Sequence, residues 1–525
     1  MNIDAVTLSV FSSRIAAVGD EMGATLKRSA FSPNIRDRLD YSCAVFDAQG
    51  RLCAQAAHIP VHLGSMAYAM GAVVAGRSWH EGDMIVLNDP YLGGTHLPDV
   101  TVIAPIFSDA RLVAFVVNRA HHADIGGETP GSMPLSQRLE QEGIVIAPTL
   151  LVENGRLIEK TLSMIAARTG NAAITRGDFA AQVSANHVGA MRLGILIGQL
   201  GIDGFNQRLD ALNDYADRLA RDSLKEIPDG DYQFEDFMDD DGAGTEDIRI
   251  CARVSVRGDS VVVDFNGTAD QVPGNLNCPI PVVAAGVYYV FRCLMPAAAP
   301  NCDGLFRSIE LRVPEGCLLN ARRPAAVTAG NVETSTRVVD VICGALAQAL
   351  PELIPAASQG TMNNLGMGDR KGARAWDYYE TIAGGTGAGA SGGGLSATHS
   401  HMTNTRNTSI EVLEANFPLR VTRYEIRENS GGEGARPGGN GLIREYQFLA
   451  DTSVSLLTER RRYRPWGLGG GGAGLSGQNR LDGELLPAKT VFRATVGQRL
   501  RIDTPGGGAF GNGGQFPLPL SAEPS

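Results

Sequence analysis

The chain has no closely spaced cysteine pair, although eight cysteines are scattered through its 525 residues. Without a C-x-x-C motif a thiolate metal site is not indicated, and we expect reduced thiols in a cytoplasmic protein. No stretch approaches 18 uninterrupted apolar residues, and the first residues lack a basic segment followed by an apolar core. We therefore expect neither a membrane span nor a signal peptide.

Positive charge and histidine are also scarce. The net charge is -11 with a pI near 5.4, so there is no basic stripe to neutralise phosphates and nucleic acid is not an expected partner. The chain has only nine histidines, so any clustering of them is informative. Glycine is abundant at 64 residues, many of them past residue 380, which predicts tight turns and close packing in that region.

Residues 88–127 contain the densest group of candidate site residues. Two polar clusters, His96 with Asp99 and His121-His122 with Asp124, are separated by apolar runs at 100–107 and 112–117 that predict two strands joined by a turn. In an antiparallel hairpin the two clusters meet at the open end. Two imidazoles and a carboxylate are a ligand set for Zn, Mn or Fe, so we predict a divalent metal site here.

Three further positions border this prediction. Asp40 precedes a predicted strand at 41–46 and is either a fourth metal ligand or a salt-bridge partner of Arg36 or Arg38. His58 and His62 are spaced like two ligands on one helical face, but Pro60 between them disfavours a regular helix. We expect His58 and His62 to contact substrate or line the pocket.

The whole chain is expected to be an α+β protein of several lobes. We predict a metal-bearing mixed α/β lobe at 1–225, a middle lobe with helices at 226–380, and a glycine-rich, mostly β lobe at 381–525. The tract at 383–394 resembles a GxGxxG loop but follows no strand of a βαβ unit, so a pocket lid or a partner-facing loop is the better interpretation. No cofactor-binding residues are assigned.

Candidate substrate and catalytic residues also occur outside the hairpin. His399 and His401 would share a face if they lay on a strand, and we expect them to contact substrate. Glu142, before an apolar segment, is a candidate general base together with Asp124. Residues 460–464 form a basic cluster that either holds an anionic intermediate or belongs to a subunit interface.

Several motifs together resemble the hydantoinase B/5-oxoprolinase family over essentially the whole chain. They read RDRLDYSCAVFDAQGRL, HIPVHLGSM, GDMIVLNDPYLGGTHLPDV, NRAHHADIGG, DFNGTADQVPGNLN and TPGGGAFGN. The resemblance implies a metal site at Asp40, His96, Asp99 and His121, with His122 and Asp124 as neighbours that orient a ligand or a water. It also implies a hydantoinase A-type partner that binds ATP, in a heterotetramer or a larger hetero-oligomer.

The function that this resemblance implies is ATP-dependent hydrolysis of a cyclic amide such as a hydantoin or 5-oxoproline. The partner would phosphorylate the amide oxygen, and a water on a Zn or Mn ion of this chain would attack the activated carbon, with His122, Asp124 or Glu142 assisting. Two alternatives stay open at this point. One is a subunit of an acetone- or acetophenone-type carboxylase, and the other is a non-catalytic scaffold for the ATP-binding subunit.

Overall fold

The computed structural model describes residues 3–56, 59–62, 64–370 and 375–512. Helices and strands are mixed throughout this part of the chain, which confirms the predicted α+β class. Its α-helices are α1 (Ala5–Ser29), α2 (Pro33–Arg36), α3 (Ser65–Val74), α4 (Leu139–Glu142), α5 (Glu159–Ala166), α6 (Ala172–Leu200), α7 (Ile202–Leu224), α8 (Ile280–Cys293), α9 (Ser335–Leu346) and α10 (Ile410–Asn416).

Seven strands of the N-terminal part form one sheet, in the order β2-β1-β5-β4-β3-β6-β7. They are β1 (Tyr41–Asp47), β2 (Leu52–Ala56), β3 (Met84–Leu87), β4 (Asp99–Ser108), β5 (Arg111–His121), β6 (Thr149–Glu153) and β7 (Arg156–Leu157). The predicted hairpin of residues 100–107 and 112–117 is confirmed as the antiparallel pair β4 and β5 at the centre of this sheet.

Helices cover both faces of this sheet. Side chains alternate along each strand, so each strand contributes residues to both faces. In β1, Cys43 and Val45 belong to the large core that α1 and α6 cover, whereas Ala44 and Phe46 belong to a smaller core packed against α3. The two-sided burial explains why the strands read as continuous apolar runs in the sequence. It also fixes the register, since a slip of one residue would exchange the two faces.

The remaining strands form three further sheets. They are β8 (Gly230–Asp240), β9 (Glu246–Arg257), β10 (Ser260–Asp264), β11 (Ile309–Arg312), β12 (Asn364–Asp369), β13 (Trp376–Glu380), β14 (Leu419–Arg427), β15 (Gly441–Phe448), β16 (Thr452–Leu457), β17 (Gln478–Leu481), β18 (Glu484–Leu486), β19 (Lys489–Ala494) and β20 (Arg499–Asp503). Their orders are β11-β10-β9-β8, β13-β12-β16-β19 and β14-β15-β20-β17-β18. A core of their own joins the last two sheets.

Glycine-rich segments from four parts of the C-terminal region pack backbone against backbone. A chain of hydrogen bonds crosses them, from the Gly432 amide to the Gly507 carbonyl, from the Gly507 amide to the Gly439 carbonyl and from the Gly439 amide to the Thr386 carbonyl, each 2.9 Å long. A Cβ on Gly385 would lie 1.9 Å from the Gly439 carbonyl oxygen. The first glycines of the tract at 383–394 are therefore packed against backbone, which disfavours a lid there, whereas Ser391 and Gly393 are exposed and the partner-facing loop stays a prediction.

None of the described helices is long and apolar enough to cross a membrane as a single helix. The helices α6 and α7 meet that requirement only when taken together, as a pair bent by 102°. All eight cysteines are free thiols, as expected, and only Cys293 is exposed.

The glycine packing generates a prediction about stability. A Cβ on Gly507 would lie 1.9 Å from the Thr386 carbonyl oxygen, a backbone atom that cannot rotate away. We therefore expect Gly507→Ala to destabilise the protein by about 3 kcal/mol or more. The measurement is the midpoint of urea-induced unfolding, followed by tryptophan fluorescence.

Gly198→Ala in α6 is the matched control, because nothing lies within 4 Å of a Cβ built there. Alanine is the better helix former by roughly 1 kcal/mol, so the control is expected to keep or raise the midpoint. Equal midpoints for Gly507→Ala and the wild type would contradict the close packing described here.

Candidate metal centre

The register of the β4–β5 hairpin brings the two predicted clusters together. Asp99 pairs directly with His121 at the open end of the ladder, and the His121 amide donates to the Asp40 carbonyl at 3.0 Å. The turn that carries His96 immediately precedes β4, and the Asp99 amide donates back to the His96 carbonyl at 3.1 Å. Four side chains distant in sequence thereby reach one end of the sheet.

Three of these side chains form a nearly equilateral triangle of polar atoms. His96 Nε2 lies 3.2 Å from His121 Nδ1 and 3.2 Å from Asp99 Oδ1, and His121 Nδ1 lies 3.1 Å from the same oxygen. All three residues are buried. Among the described residues, they are the group of ligand-type side chains whose atoms all fall within 4.8 Å of one another.

The triangle fits a divalent ion better than it fits hydrogen bonding alone. Asp99 is an acceptor when ionised and each of the two ring nitrogens carries at most one proton, so hydrogen bonds account for two of the three edges. Ligands held at about 2.1 Å from one ion, at angles between tetrahedral and octahedral, are separated by roughly 3.0–3.4 Å. All three edges match that separation.

Asp99 is the member of the triangle that contacts both imidazoles through one oxygen. Its Oδ1 faces both imidazoles, while Oδ2 accepts from Thr95 Oγ1 at 2.5 Å and lies 3.4 Å from His62 Nε2. Burial disfavours the charged carboxylate, but the surrounding histidines outweigh burial and lower the pKa of Asp99 well below its usual value. The carboxylate is therefore ionised and oriented before any ligand binds.

The two imidazoles are held mainly by packing. Burial lowers the pKa of His121, whereas at His96 the Asp99 carboxylate outweighs burial and raises the pKa. The far ring nitrogens, His96 Nδ1 and His121 Nε2, have no hydrogen-bond partner among the described residues. Instead, the Tyr379 ring stacks on His121 with 5.0 Å between centroids, and Tyr379 Oη donates to Asn364 at 2.7 Å.

A small cavity adjoins the triangle. Its volume is about 20 Å³, close to the room that one water molecule or ion requires. Segments distant in sequence close it, with Asn331, Met362 and Thr403 among the lining residues. The cavity has room for an ion or a water molecule but not for a cyclic amide.

Asp40 and His62 both line this cavity, but neither belongs to the triangle. Asp40 Oδ2 lies 3.9 Å from Arg38 Nη2, a long ion pair, while Arg36 pairs with Asp37, and the metal-ligand alternative for Asp40 stays a prediction. His62 hydrogen-bonds Ser42 Oγ through Nδ1 at 3.0 Å and faces Asp99 through Nε2. His62 therefore contacts Asp99 through Oδ2, the carboxylate oxygen that does not face the two imidazoles.

His122 and Asp124 are not brought to the triangle, which corrects the expectation that they face it. His122 follows His121, so its side chain points to the opposite face, where Nε2 contacts Gln182 Oε1 at 2.9 Å. Asp124 accepts from the Gly126 amide, from Ser132 Oγ at 2.7 Å and from Arg370. Both residues line a second, larger cavity of about 190 Å³.

Glu142 also lies away from the small cavity, so its position does not support the role of general base. One carboxylate oxygen accepts from Ser136 Oγ at 2.8 Å and from the amides of Val327 and Thr328 at 2.8 and 2.9 Å. These bonds attach α4 to the segment that leads to Asn331 at the cavity wall. Burial raises the pKa of Glu142 to about 7.

The remaining predicted substrate-binding residues are His58, His399 and His401. His58 lies outside the described residues, so its contact with substrate stays a prediction. His399 and His401 are not on a strand, because His401 has a left-handed φ of 57°, and neither lines the small cavity. Burial lowers the pKa of His399 to about 4, and His401 Nδ1 lies 3.4 Å from Tyr289 Oη. Met402 and Thr403, from the same segment, reach the cavity instead.

Two of the four arginines in the basic cluster at residues 460–464 form ion pairs within the described residues. Arg460 is fully buried between Asp236 at 2.8 Å and Asp340 at 2.5 Å. Arg462, which is exposed, pairs with Glu246 and Asp247. Arg461 and Arg464 donate to neutral acceptors, so the role of the cluster stays a prediction.

Two residues of the centre were missed at the level of sequence. Thr95 belongs to the same THLPD segment as His96 and Asp99, so its hydroxyl was recognisable as a local hydrogen-bond donor to the carboxylate. Tyr379 lies on β13, about 260 positions beyond its stacking partner. No periodicity or motif indicates that contact, because it depends on how distant sheets pack.

The chain resembles known proteins over nearly its whole length. The model of the family described as hydantoinase B/oxoprolinase matches residues 4–513. The chain is 38% identical to 5-oxoprolinase 1 of Arabidopsis thaliana, over 97% of its own length but only 42% of the relative. It is 37% identical to protein MJ0963 of Methanocaldococcus jannaschii, over 97% of its own length and 91% of the relative. The chain thus spans less than half of one relative and nearly all of the other.

Two solved structures share the fold. The ATP-dependent caprolactamase from Pseudomonas jessenii superposes with a TM-score of 0.92 at 29% identity, covering 99% of this chain and 93% of that one. A nucleotide-free acetone carboxylase superposes with a TM-score of 0.86, covering 97% of this chain and 76% of that one. At 19% identity the second likeness shows the fold alone.

The buried Glu142 generates a prediction about pH. Its pKa is about 7 in the folded protein against an ordinary value of 4.5, so the unfolded chain releases this proton at lower pH. Its contribution to stability is therefore present below about pH 4.5 and is lost as pH rises toward 7, by up to roughly 3 kcal/mol. Glu142→Gln removes this loss, so its stability relative to the wild type should increase between pH 5 and 8.

Glu140→Gln is the control, because the Glu140 side chain on the same helix is 60% exposed. Urea unfolding midpoints of the three proteins, measured across that pH range, provide the comparison. A constant difference between Glu142→Gln and the wild type would contradict the raised pKa.

Proposed function

This chain belongs to the hydantoinase B/oxoprolinase family, and from that premise we propose that it carries the metal centre of an ATP-dependent cyclic amide hydrolase. The names of two similar proteins, a caprolactamase and a 5-oxoprolinase, both refer to cyclic amides. The single observation that supports a catalytic role for this chain is the buried triangle of His96, Asp99 and His121.

His96 Nε2, His121 Nδ1 and Asp99 Oδ1 are the atoms proposed to hold the ion, with Asp40 as a further ligand from the cavity wall. Zinc or manganese suits this set of nitrogen and oxygen donors. A bound divalent ion would supply Lewis acidity and lower the pKa of a water molecule toward neutrality.

The protein's own residues prepare this chemistry. Thr95 and His62 hold Asp99 Oδ2, which leaves Oδ1 directed at the two imidazoles. Tyr379 stacks on the His121 ring, and the Arg38 guanidinium also lies over the Tyr379 ring, 4.9 Å from its centroid. Arg38 also donates to Thr381 Oγ1, a cavity-lining group, at 3.2 Å. The polar wall is therefore rigid before substrate arrives.

ATP is proposed to bind to a partner subunit of the A type. An unstrained amide is a poor electrophile, and phosphorylation of its oxygen would make the carbonyl carbon reactive while ADP is released. Water then adds to that carbon, the ring C–N bond breaks and inorganic phosphate leaves, so the sum is ring hydrolysis coupled to ATP hydrolysis. The greater length of 5-oxoprolinase 1, of which this chain covers 42%, leaves room for such a second component within one polypeptide.

The proposal predicts that His96→Ala abolishes both metal binding and turnover. The variant loses one of the two nitrogen donors, and the remaining imidazole and carboxylates are expected to bind the ion too weakly to retain it during purification. The wild type should contain about one divalent ion per chain by inductively coupled plasma mass spectrometry, and the variant close to none. ATP-dependent ring opening is measured after coexpression with an A-type partner.

His80→Ala is the control, because the His80 side chain is 70% exposed and its ion-pair partner among the described residues is Asp83, at 3.3 Å. It is expected to keep the metal and the activity. Full metal content in His96→Ala would remove the proposed centre, whereas a metal-free, active wild type would leave this chain as a scaffold. Turnover of acetone with bicarbonate, but of neither hydantoin nor 5-oxoproline, would instead identify a ketone carboxylase.

A further inference from the structure

The second cavity, on the far side of β5, has the features of a separate ligand site. We call it the lateral pocket and define it by Phe31, His122, Asp124, Asp178, Trp376 and Phe417, which are among its lining residues. Its volume of about 190 Å³ exceeds that of the cavity beside His121. Because His121 and His122 point to opposite faces, one strand end contributes to both cavities without joining them.

The walls of the lateral pocket are aromatic. Trp376 and Phe417 form a pair with 5.5 Å between ring centroids. Phe31, on the other side, is 58% exposed although it is a large apolar residue. Its ring lies on α6 at Gly177, where a Cβ would come within 2.2 Å of it. The pocket therefore offers aromatic faces to the apolar part of a small ligand.

Two buried polar atoms at this pocket lack partners. Asp178 is 1% exposed, and its Oδ1 accepts from the amides of Phe31 and Ser32 at 2.8 and 3.0 Å, whereas Oδ2 has no partner among the described residues. His122 is equally buried, and its Nδ1 is also unpartnered. Unpaired polar groups at such depth cost free energy unless a ligand or water satisfies them.

The tautomer of His122 follows from its partner. Gln182 Nε2 donates to the Val100 carbonyl and to Asn118 Oδ1, both at 2.9 Å, which fixes Gln182 Oε1 as the atom facing His122. His122 Nε2 therefore carries the proton and donates it to that oxygen. The other ring nitrogen, Nδ1, has no partner among the described residues, and Asp178 Oδ2 is a carboxylate oxygen that requires a donor.

The charges around the lateral pocket are not balanced. Arg36 is paired with Asp37 at 3.0 Å, and a single guanidinium, Arg370, serves both Asp124 at 2.8 Å and Asp377 at 3.2 Å. Within the described residues, Asp178 has no cationic side chain at ion-pair distance. Among the described residues named here, four carboxylates stand against two guanidiniums, and Asp178 is the carboxylate without a cation at ion-pair distance, which favours a cation beside it.

We propose that the lateral pocket binds a small organic ammonium ion, whose N–H groups donate to Asp178 and whose apolar part contacts Trp376, Phe417 and Phe31. A cation against aromatic faces gains electrostatic attraction in addition to the burial of apolar surface. This site is separate from the triangle of His96, Asp99 and His121, and it does not depend on the hydrolase assignment.

The electrostatics of Asp377 agree with an excess of negative charge. Burial, followed by the neighbouring Asp124 carboxylate, raises the pKa of Asp377 to about 6, although Arg370 opposes the shift. A positive ligand nearby would be attracted by this carboxylate pair.

The test uses n-pentylammonium as the probe and n-pentanol as its neutral counterpart, with isothermal titration calorimetry on the wild-type chain. Saturable binding of the amine, at least about tenfold tighter than the alcohol, is expected. Asp178→Asn keeps an oxygen for the Phe31 and Ser32 amides but removes the charge, and it should weaken amine binding about tenfold or more. Asp109→Asn, an equal loss of charge in the exposed β4–β5 turn, should bind the amine as the wild type does.

Trp376→Leu provides a second variant that leaves every carboxylate in place and removes one aromatic wall. It should also weaken amine binding, and it replaces Asp178→Asn if that variant does not fold. The proposal is overturned if the wild type shows no saturable amine binding below about 10 mM. Equal affinity for amine and alcohol, or unchanged amine binding by a folded Asp178→Asn variant, would overturn it as well.

Discussion

The pairing of Asp99 with His121 across the β4–β5 ladder is the constraint on which the candidate centre depends. It places a carboxylate and an imidazole from opposite strands at one open end, and the preceding turn adds His96 at 3.2 Å. Three potential ligands thereby converge without any of them belonging to a flexible loop. Burial between α1 and α6 on one side and α3 on the other fixes this register, because a one-residue slip would expose apolar side chains.

The alternation of side chains at the end of β5 has a second consequence. His121 points into the small cavity with the triangle, and His122 points toward the lateral pocket. Neighbouring histidines that look equivalent in the sequence thus occupy different environments, one among possible metal ligands and the other among carboxylates and aromatic rings. Because side chains alternate along a strand, the two neighbouring histidines lie on opposite faces and have different possible roles.

Local patterns in the sequence were sufficient for the hairpin and for the residues at its ends. Apolar runs of β-branched residues predict β4 and β5. The position of the turn then indicates which ends of the two strands meet at the open end of the hairpin. The positions of Glu142, His399 and His401 were not predictable in this way. Glu142 is held by the amides of Val327 and Thr328, almost two hundred positions away. The glycine packing likewise depends on four distant segments meeting, although the high glycine content did indicate close packing.

The most direct test of the central claim is anomalous X-ray scattering from crystals of the purified chain, recorded at the absorption edge of the metal that it contains. A single peak is expected at about 2.0–2.2 Å from His96 Nε2, His121 Nδ1 and Asp99 Oδ1. Finding no peak among these three atoms, with the metal located elsewhere or absent, would show that the triangle is a hydrogen-bonded cluster and would contradict the account.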